Sequence, residues 1–235
     1  MRYTLLLADA DGTLFDFHAG ERVALTETFA AFGVPVDDAI AALYSRVNLS
    51  HWKRLERGET TQPRLRVERF ADCVRELRAL GLPAPDAAPE ALSEAFIEAL
   101  GRQRVPMPGA EAFLKRVSAV LPVYLVTNGI ARVQRGRFEH SELRPYLRDL
   151  LISEELGHFK PDPFMVLEAM RRAGVDDPRQ TVLLGDSVSA DIGAANNAGI
   201  DSILLTNGQP APEPCPATFA AGTLAQAADW LLSQS

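Results

Sequence analysis

The sequence has few cysteines and no long apolar run. Its two cysteines, Cys73 and Cys215, lie far apart and fit no Cys-x-x-Cys pattern, so we expect reduced, structural thiols. No stretch approaches the roughly 20 apolar residues that cross a bilayer, and the apolar run near the N-terminus is shorter than a signal peptide. These features predict a cytoplasmic protein that binds no membrane.

An excess of positive charge is also lacking. The chain has 24 Lys and Arg residues against 31 Asp and Glu residues, which gives a formal net charge of −7. Because sequence-independent nucleic-acid binding depends on clustered cations, this balance argues against a nucleic-acid partner. A small phosphorylated ligand needs only a few local cations and is compatible with the composition.

Several common site motifs are missing as well. The chain contains no P-loop, no nucleophile-elbow serine, no zincin motif and no dinucleotide fingerprint. A calcium-binding loop that started at Asp9 would place Leu14 and Gly20 where glycine and glutamate are required.

Short apolar segments are typical of buried parallel strands, and helical patterns lie between the later ones. Alternation of strands and helices predicts a parallel sheet with helices on its faces, and ligands collect at the carboxyl ends of such strands. Four segments are clear and a fifth is weaker: residues 4–8, 123–126, 181–184, 202–205 and, as the weaker one, 150–153.

The stretch from about residue 20 to residue 104 breaks this alternation because it contains only helical signals. One helix is predicted around residues 25–32, a second from near Pro63 to Gly81, and a third between Pro89 and Gly101. We therefore expect an α/β core made of residues 1–16 and 105–235, with an all-helical cap domain at residues 17–104.

Two acidic residues follow the first strand. Asp9 and Asp11 come directly after it, with their side chains expected on the same side, and Gly12 then breaks the strand. Buried carboxylates are costly unless a metal or a polar ligand satisfies them. This sequence therefore predicts a site at the end of the first strand.

Polar residues also follow later strands. Thr127 and Asn128 close one strand, where a hydroxyl and a carboxamide suit the oxygens of a tetrahedral anion. Lys160 lies in a Lys-Pro-Asp-Pro segment whose prolines would hold it beside a fixed anion, although an isolated lysine is more often solvated. Asp186 and Asp191 follow a further strand, where they would otherwise cap a helix or complement its dipole.

Together these elements match the needs of phosphate monoester chemistry. Mg²⁺ prefers a few carboxylates, a substrate phosphate and water, which Asp9, Asp186 and a backbone carbonyl near Asp11 could supply in part. Thr127, Asn128 and Lys160 would bind the phosphoryl oxygens. In the same scheme an aspartate is the nucleophile, and Asp11 protonates the leaving alkoxide before it deprotonates the attacking water.

The order of these motifs resembles the haloacid-dehalogenase (HAD) superfamily of phosphohydrolases. Its first motif, D-x-D-x-T, is matched by residues 9–13, and its later motifs are matched at Thr127, at Lys160 and at the pair Asp186 and Asp191. The resemblance covers the whole chain. It implies a Rossmann-like core with an inserted helical cap, Mg²⁺ as cofactor, Asp9 as the nucleophile, and Asp191 in support of the metal ligands Asp9, Asp11 and Asp186.

Within this superfamily the chain resembles the pyrimidine 5′-nucleotidases. The resemblance rests on the opening Asp-Ala-Asp-Gly-Thr-Leu-Phe and on scattered cap residues from Trp52 to Phe70. Trp52 would stack on a base, or pack between cap helices instead, and Phe15 and Phe17 would line the entrance or seal the cap.

The predicted function is thus a Mg²⁺-dependent phosphomonoesterase that acts on a small phosphorylated metabolite, a nucleoside monophosphate. A phosphoglycolate or sugar phosphatase and a phosphosugar mutase remain alternatives because they share every catalytic motif. A haloacid dehalogenase is disfavoured, since it needs neither Asp11 nor the later acidic pair. A non-catalytic binding module is disfavoured because no catalytic acid is missing.

Overall fold

The computed structural model describes residues 2–234, which fall into two compact units. One unit contains the described residues up to Phe17 and from Arg104 onward, and the other contains His18–Gln103. The first unit is an α/β structure and the second is helical.

A single parallel sheet forms the centre of the α/β unit. Among the described residues it has six strands in the order β3-β2-β1-β4-β5-β6, so that β1 lies between β2 and β4. All neighbouring strands are parallel, and their carboxyl ends therefore lie at one edge. The strands are β1 (Leu5–Ala8), β2 (Val123–Thr127), β3 (Asp149–Ile152), β4 (Thr181–Gly185), β5 (Asp201–Leu205) and β6 (Phe219–Ala221).

Ten α-helices are assigned within residues 2–234. In chain order they are α1 (Phe17–Ala31), α2 (Asp38–Glu56), α3 (Gln62–Ala79), α4 (Pro89–Gly101), α5 (Ala110–Val117), α6 (Ala131–His140), α7 (Ser153–Leu156), α8 (Phe164–Ala173), α9 (Gly193–Ala198) and α10 (Leu224–Leu232). A π-helical turn, Val188–Ile192, precedes α9.

Helices cover both faces of the sheet. Successive side chains of β1 point to opposite faces: Leu6 joins a core with α5 and α10, whereas Leu5 and Leu7 join a core with α8 and α9. All four residues of β1 are buried, which explains its continuous apolar sequence. A strand buried on both faces has no room for charge, so its acidic residues lie beyond its carboxyl end.

The helical unit has its own core. The rings of Tyr44, Phe70 and Phe96 lie 5.3–5.4 Å apart, centroid to centroid, where α2, α3 and α4 meet. Buried polar groups adjoin these rings: Arg69 donates to Asn48, and Asn48 donates to Glu21. Within residues 2–234 no helix is both long enough and apolar enough to cross a membrane.

The predicted α/β fold with helices on both faces of a parallel sheet is confirmed, and five strands lie within one residue of their predicted ends. Several details differ. The short edge strand β6 and the long helix α2 were not predicted, and Ser153 begins a helix instead of ending a strand. In addition, α8 begins at Phe164, one residue after the predicted Pro163, and Asp162 accepts a hydrogen bond from the Phe164 amide.

Candidate active site

Asp9 lies at the carboxyl end of β1, where its backbone amide extends the ladder to Leu184 of β4. Asp9 is only 6% exposed, and its Oδ1 accepts a 2.6 Å hydrogen bond from Lys160 Nζ. Burial raises the pKa of Asp9 well above its ordinary value; the positive charge of Lys160 opposes the shift, and the negative charges of Asp191 and Asp186 add to it. The site therefore favours a cation close to this carboxylate.

Lys160 is buried between two carboxylates and is not solvated. Its Nζ donates to Asp9 Oδ1 at 2.6 Å, to Asp191 Oδ1 at 2.6 Å and to the Val126 carbonyl at 2.7 Å, which uses all three ammonium hydrogens. Burial alone would lower the pKa of Lys160, but Asp191 and Asp9 outweigh it and raise the pKa above the ordinary range. Lys160 is thus a permanent cation that joins the ends of β1 and β2 to the segment after β4.

Asp186 and Asp191 follow β4, as the sequence predicts. Asp191 is buried, and its second oxygen accepts from the Ser187 amide, so both of its oxygens have protein donors. Asp186 keeps an exposed edge; partial burial and then the charge of Asp191 raise its pKa to about 6. Two glycines make room for these acids: a Cβ at Gly12, which has φ +85°, would collide with Asp186, and a Cβ at Gly185 would collide with Asp191.

The Asp11 carboxylate lies apart from this group and is held by α6. Its Oδ2 accepts a 2.7 Å hydrogen bond from Gln134 Nε2, and its Oδ1 is paired with the Arg137 guanidinium. The Asp11 side chain remains 23% exposed, whereas that of Arg137 is 2% exposed. Asp9 and Asp11 are therefore oriented by different partners although they are two residues apart.

Thr127 and Asn128 lie at the end of β2. Thr127 is 1% exposed. The Asn128 side chain donates from Nδ2 to the Lys160 carbonyl and accepts at Oδ1 from the Lys160 amide, both at 2.8 Å. Asn128 thus fixes the backbone at Lys160, where the Lys160–Pro161 peptide bond is cis. Its carboxamide is occupied by these two hydrogen bonds instead of being presented freely to a ligand.

The donor set fits a magnesium ion. Among residues 2–234, the acidic oxygens that lie within 4.8 Å of one another belong to Asp9, Asp186 and Asp191, and oxygen ligands of this kind are those Mg²⁺ prefers. Because both Asp191 oxygens already accept protein hydrogen bonds, Asp9 and Asp186 are the better ligands. The structure does not place the Asp11 side chain in this group, so a contribution from Asp11 would come from its backbone.

The aromatic residues expected at the substrate entrance occupy different surroundings. Phe15 is 2% exposed and belongs to the hydrophobic core of the α/β unit. Phe17 begins α1 and is partly exposed, and Trp52 lies on α2, also partly exposed.

Two polar residues of the site were not anticipated, Gln134 and Arg137. They lie on the buried face of α6 beside Val133 and Phe138. Their position on α6 is the sequence feature that could have indicated this role. A glutamine and an arginine occupy helix positions at which the amphipathic spacing predicts apolar residues. A polar residue on such a face needs a buried partner, and Asp11 is that partner.

The fold and the site define a class of α/β enzyme: a parallel sheet with acids beyond its central strand, and a helical unit inserted after that strand. A family model described as haloacid dehalogenase-like hydrolase matches residues 3–199. The chain belongs to this family, and both the predicted superfamily and the predicted hydrolase class are confirmed.

Curated relatives are similar over most of their length. The pyrimidine 5′-nucleotidase PynA of Streptococcus pneumoniae is 33% identical over 86% of this chain and 84% of its own length. The pyrimidine 5′-nucleotidase YjjG of Escherichia coli is 30% identical over 87% of both chains. The predicted similarity to pyrimidine 5′-nucleotidases is thereby confirmed. More distant relatives are named as phosphatases of other small esters, fructose 1-phosphate and phosphoglycolate among them.

A solved structure is also similar over nearly the whole chain. The HAD-hydrolase YfnB of Bacillus subtilis, determined bound to magnesium, matches with a TM-score of 0.88 and 27% identity and covers 98% of this chain and 99% of its own.

Proposed function

We propose that the protein is a Mg²⁺-dependent phosphomonoesterase that hydrolyses nucleoside 5′-monophosphates, pyrimidine nucleotides in particular, through a phosphoaspartate on Asp9. One observation carries the proposal: a buried carboxylate at the end of the central strand is held by Lys160 and grouped with Asp186 and Asp191. A dianionic phosphate repels a carboxylate nucleophile, so a nucleophilic aspartate needs positive charge beside it.

Asp9 and Asp186 would supply the side-chain ligands of the metal. In their ionised forms Asp9, Asp11, Asp186 and Asp191 carry four negative charges against the two positive charges of Lys160 and Arg137, which favours a divalent cation. When bound, Mg²⁺ would neutralise phosphate charge and orient the phosphoryl group for in-line attack.

In the first half-reaction an Asp9 oxygen attacks phosphorus and the P–O bond of the ester breaks. Asp11 passes a proton to the departing oxygen, which leaves as the alcohol. Lys160 holds the Asp9 carboxylate in place and offsets its charge. Because all three Lys160 hydrogens have acceptors, direct contact with the phosphate would require Lys160 to exchange one of them. Thr127, at the end of β2, is the hydroxyl proposed to bind a phosphoryl oxygen.

In the second half-reaction water attacks the phosphorus of the phosphoaspartate. Asp11 takes the proton of the water, the bond between phosphorus and the Asp9 oxygen breaks, and inorganic phosphate leaves with the Asp9 carboxylate regenerated. The Asp11 carboxyl group thus serves as acid and then as base. It must therefore stay within reach of the ester oxygen that leaves and of the water oxygen that attacks.

The helical unit, with residues 17–104 as its proposed limits, is assigned the role of a cap that selects the substrate. Trp52 is partly exposed on α2, so its ring is available to stack on a nucleobase. The nucleotide preference is supported by PynA and YjjG, whose names describe pyrimidine 5′-nucleotidases. The names of more distant relatives make sugar phosphates and phosphoglycolate the competing substrates to test.

The test is phosphate release across a panel of esters with Mg²⁺ present and with EDTA. The panel contains pyrimidine and purine nucleoside monophosphates, phosphoglycolate and hexose phosphates. Asp9→Asn serves as the inactive reference, and Asp229→Asn, which changes an exposed aspartate of α10, is the matched control. We expect Mg²⁺-dependent release that is fastest from pyrimidine monophosphates and is unchanged in the control.

Each other outcome removes a defined part of the proposal. Preference for phosphoglycolate or a hexose phosphate would replace the substrate and leave the chemistry in place. Full activity of Asp9→Asn would exclude the phosphoaspartate. No release from any ester by folded, Mg²⁺-loaded protein would overturn the phosphatase itself.

A further inference from the structure

Two buried side chains of α6 converge on one carboxylate. Gln134 and Arg137 are 3% and 2% exposed, and they hold different oxygens of Asp11, Oδ2 and Oδ1 respectively. The two residues are three apart on the helix, so their side chains lie on the same face. Neither side chain is open to a ligand, whereas Asp11 keeps a solvent-exposed edge.

The loop before α6 is shaped around this contact. A Cβ at Gly129 would lie 2.6 Å from Gln134 Nε2, so a larger residue at this position would displace the amide that holds Asp11. The Gly129 amide in turn donates to Ser153 Oγ at 3.1 Å. The loop between β2 and α6 is thereby tied to the start of α7.

If it served structure alone, this arrangement would be unfavourable in free energy compared with an apolar one. A buried guanidinium loses much of its hydration, and apolar residues of similar volume in such positions are often equally stabilising or more so. The buried face of α6 already carries Val133 and Phe138, which pack without polar partners. What Gln134 and Arg137 provide, and an apolar pair would not, is a fixed orientation of Asp11.

We propose that Gln134 and Arg137 are positioning residues that together hold the Asp11 carboxyl group in the plane needed for proton transfer. This inference rests on the proposed phosphatase function. One donor would leave the carboxyl group free to rotate about its bond to Cβ, whereas donors on both oxygens fix its plane. A carboxylate offers about four acceptor sites, so two donors leave room for the ester oxygen and, later, for water.

The role can be separated from simple structural support by the choice of leaving group. In the first half-reaction the proton moves from Asp11 to the ester oxygen as the P–O bond breaks. An alkoxide needs that proton, whereas p-nitrophenolate leaves as a stable anion. Misplacement of Asp11 therefore slows the cleavage of alkyl phosphates far more than that of p-nitrophenyl phosphate. The ratio kcat/KM reports this step because it covers events up to release of the alcohol.

The experiment measures kcat/KM for the best alkyl phosphate and for p-nitrophenyl phosphate in wild type, Gln134→Met and Arg137→Met. Asp11→Asn defines the full loss of the acid, for which general acid catalysis sets a scale of about 10²–10⁴-fold. Arg135→Met is the matched control, because Arg135 lies on the same helix but pairs with Glu155 at the surface.

We expect each variant to lose about 10- to 100-fold in kcat/KM on the alkyl phosphate and less than about 3-fold on p-nitrophenyl phosphate, within the range of general acid catalysis. Because Asp11 also activates water, the variants should show a burst of p-nitrophenol followed by slower turnover. The Arg135→Met control should match wild type on both substrates.

Equal losses on the two esters would overturn the inference and leave Gln134 and Arg137 as structural residues. If Arg137→Met does not fold, as judged by urea unfolding, Gln134→Met and Arg137→Lys decide the question by the same ratio. Wild-type protein that cleaves neither ester would instead overturn the proposed function, so the two failures are distinguishable.

Discussion

Replacement of Lys160 by methionine in the metal-free protein should expose the electrostatic design of the site. Lys160 is 1% exposed and lies 2.6 Å from one oxygen each of Asp9 and Asp191. Methionine keeps much of the side-chain length and fills the same space. The variant therefore loses the ammonium group while two buried carboxylates remain.

The expected cost follows from these contacts. Removal of one partner from a buried ion pair destabilises a protein by about 3–5 kcal/mol, because the remaining charge is buried without compensation. The Val126 carbonyl also loses its donor, which adds about 1 kcal/mol. Since a domain of this kind is stable by roughly 5–15 kcal/mol, the loss is a large fraction of the total.

The cost should depend on pH in a defined direction. The pKa of Lys160 is raised in the folded protein, so Lys160 is protonated in both the folded and the unfolded state below the ordinary lysine pKa of about 10.4, and its own titration adds no pH dependence between pH 5 and pH 8. In the variant, the Asp9 carboxylate loses the Lys160 charge, which is the main influence that lowers its pKa. The pKa of Asp9, already raised by burial, therefore rises further. A carboxyl group with a raised pKa destabilises the fold as pH rises above about 4. The loss should be small near pH 5 and approach its full value at pH 8.

Urea unfolding in EDTA at several pH values measures this loss. A Trp52→Phe background leaves Trp230, stacked on Phe219 at 4.9 Å, as the only tryptophan, so fluorescence reports the α/β unit alone. The exposed Lys115→Met is the matched control.

A loss below about 1 kcal/mol at pH 8 would refute the view that Lys160 compensates the buried carboxylates of Asp9 and Asp191, since a buried pair costs several times more to break. A loss that is the same at pH 5 and pH 8 would refute the assignment of the cost to the carboxylates. In the double variant with Asp191→Asn, one of the uncompensated charges is removed, so the fold should recover part of the lost stability.

Two further predictions concern the helical unit. Tyr44→Phe should raise its stability by up to about 1 kcal/mol, because the buried Tyr44 hydroxyl has no hydrogen-bond partner among the described residues. Urea unfolding followed by Trp52 fluorescence in a Trp230→Phe background measures this change, and a loss of similar size would reveal a partner such as a bound water. Trp52→Ala should reduce kcat/KM for nucleoside monophosphates by about 10-fold, the scale of one stacked base, and leave p-nitrophenyl phosphate nearly unchanged. Equal losses on both substrates would remove the stacking role.

The sheet is predictable from the sequence because its strands are buried on both faces. Continuous apolar runs such as Leu5–Ala8 leave no ambiguity, and five strands are predicted to within one residue. The edge strand β6 has three residues, only one of them buried, and gives no such signal. Helix α2 was not predicted because Asn48 and His51 occupy its buried face and interrupt the apolar spacing.

The site is predictable only in part, because sequence motifs identify residues but not their partners. The spacing of Asp9 and Asp11 suggests a shared role, yet the structure gives the first to Lys160 and the second to α6. The sequence neighbours of Lys160, taken alone, predict a solvated side chain. Its burial follows from contacts with Asp9 and Asp191, which lie 151 and 31 residues away along the chain. Contacts over such separations depend on strand order, which local patterns do not specify.

The distribution of cations among the four aspartates assigns them different tasks. Lys160 compensates Asp9 and Asp191, and Arg137 compensates Asp11, so three of the acids have buried positive partners. Asp186 forms no ion pair within residues 2–234, and its side chain accepts a long 3.4 Å hydrogen bond from the Thr13 hydroxyl. It is also the most exposed of the metal-ligand group and has a pKa raised to about 6, which a bound divalent cation would lower. The protein thus provides a positive partner for each carboxylate proposed to perform or support the chemistry. It leaves Asp186 without such a partner, at the place where a metal ion would bind.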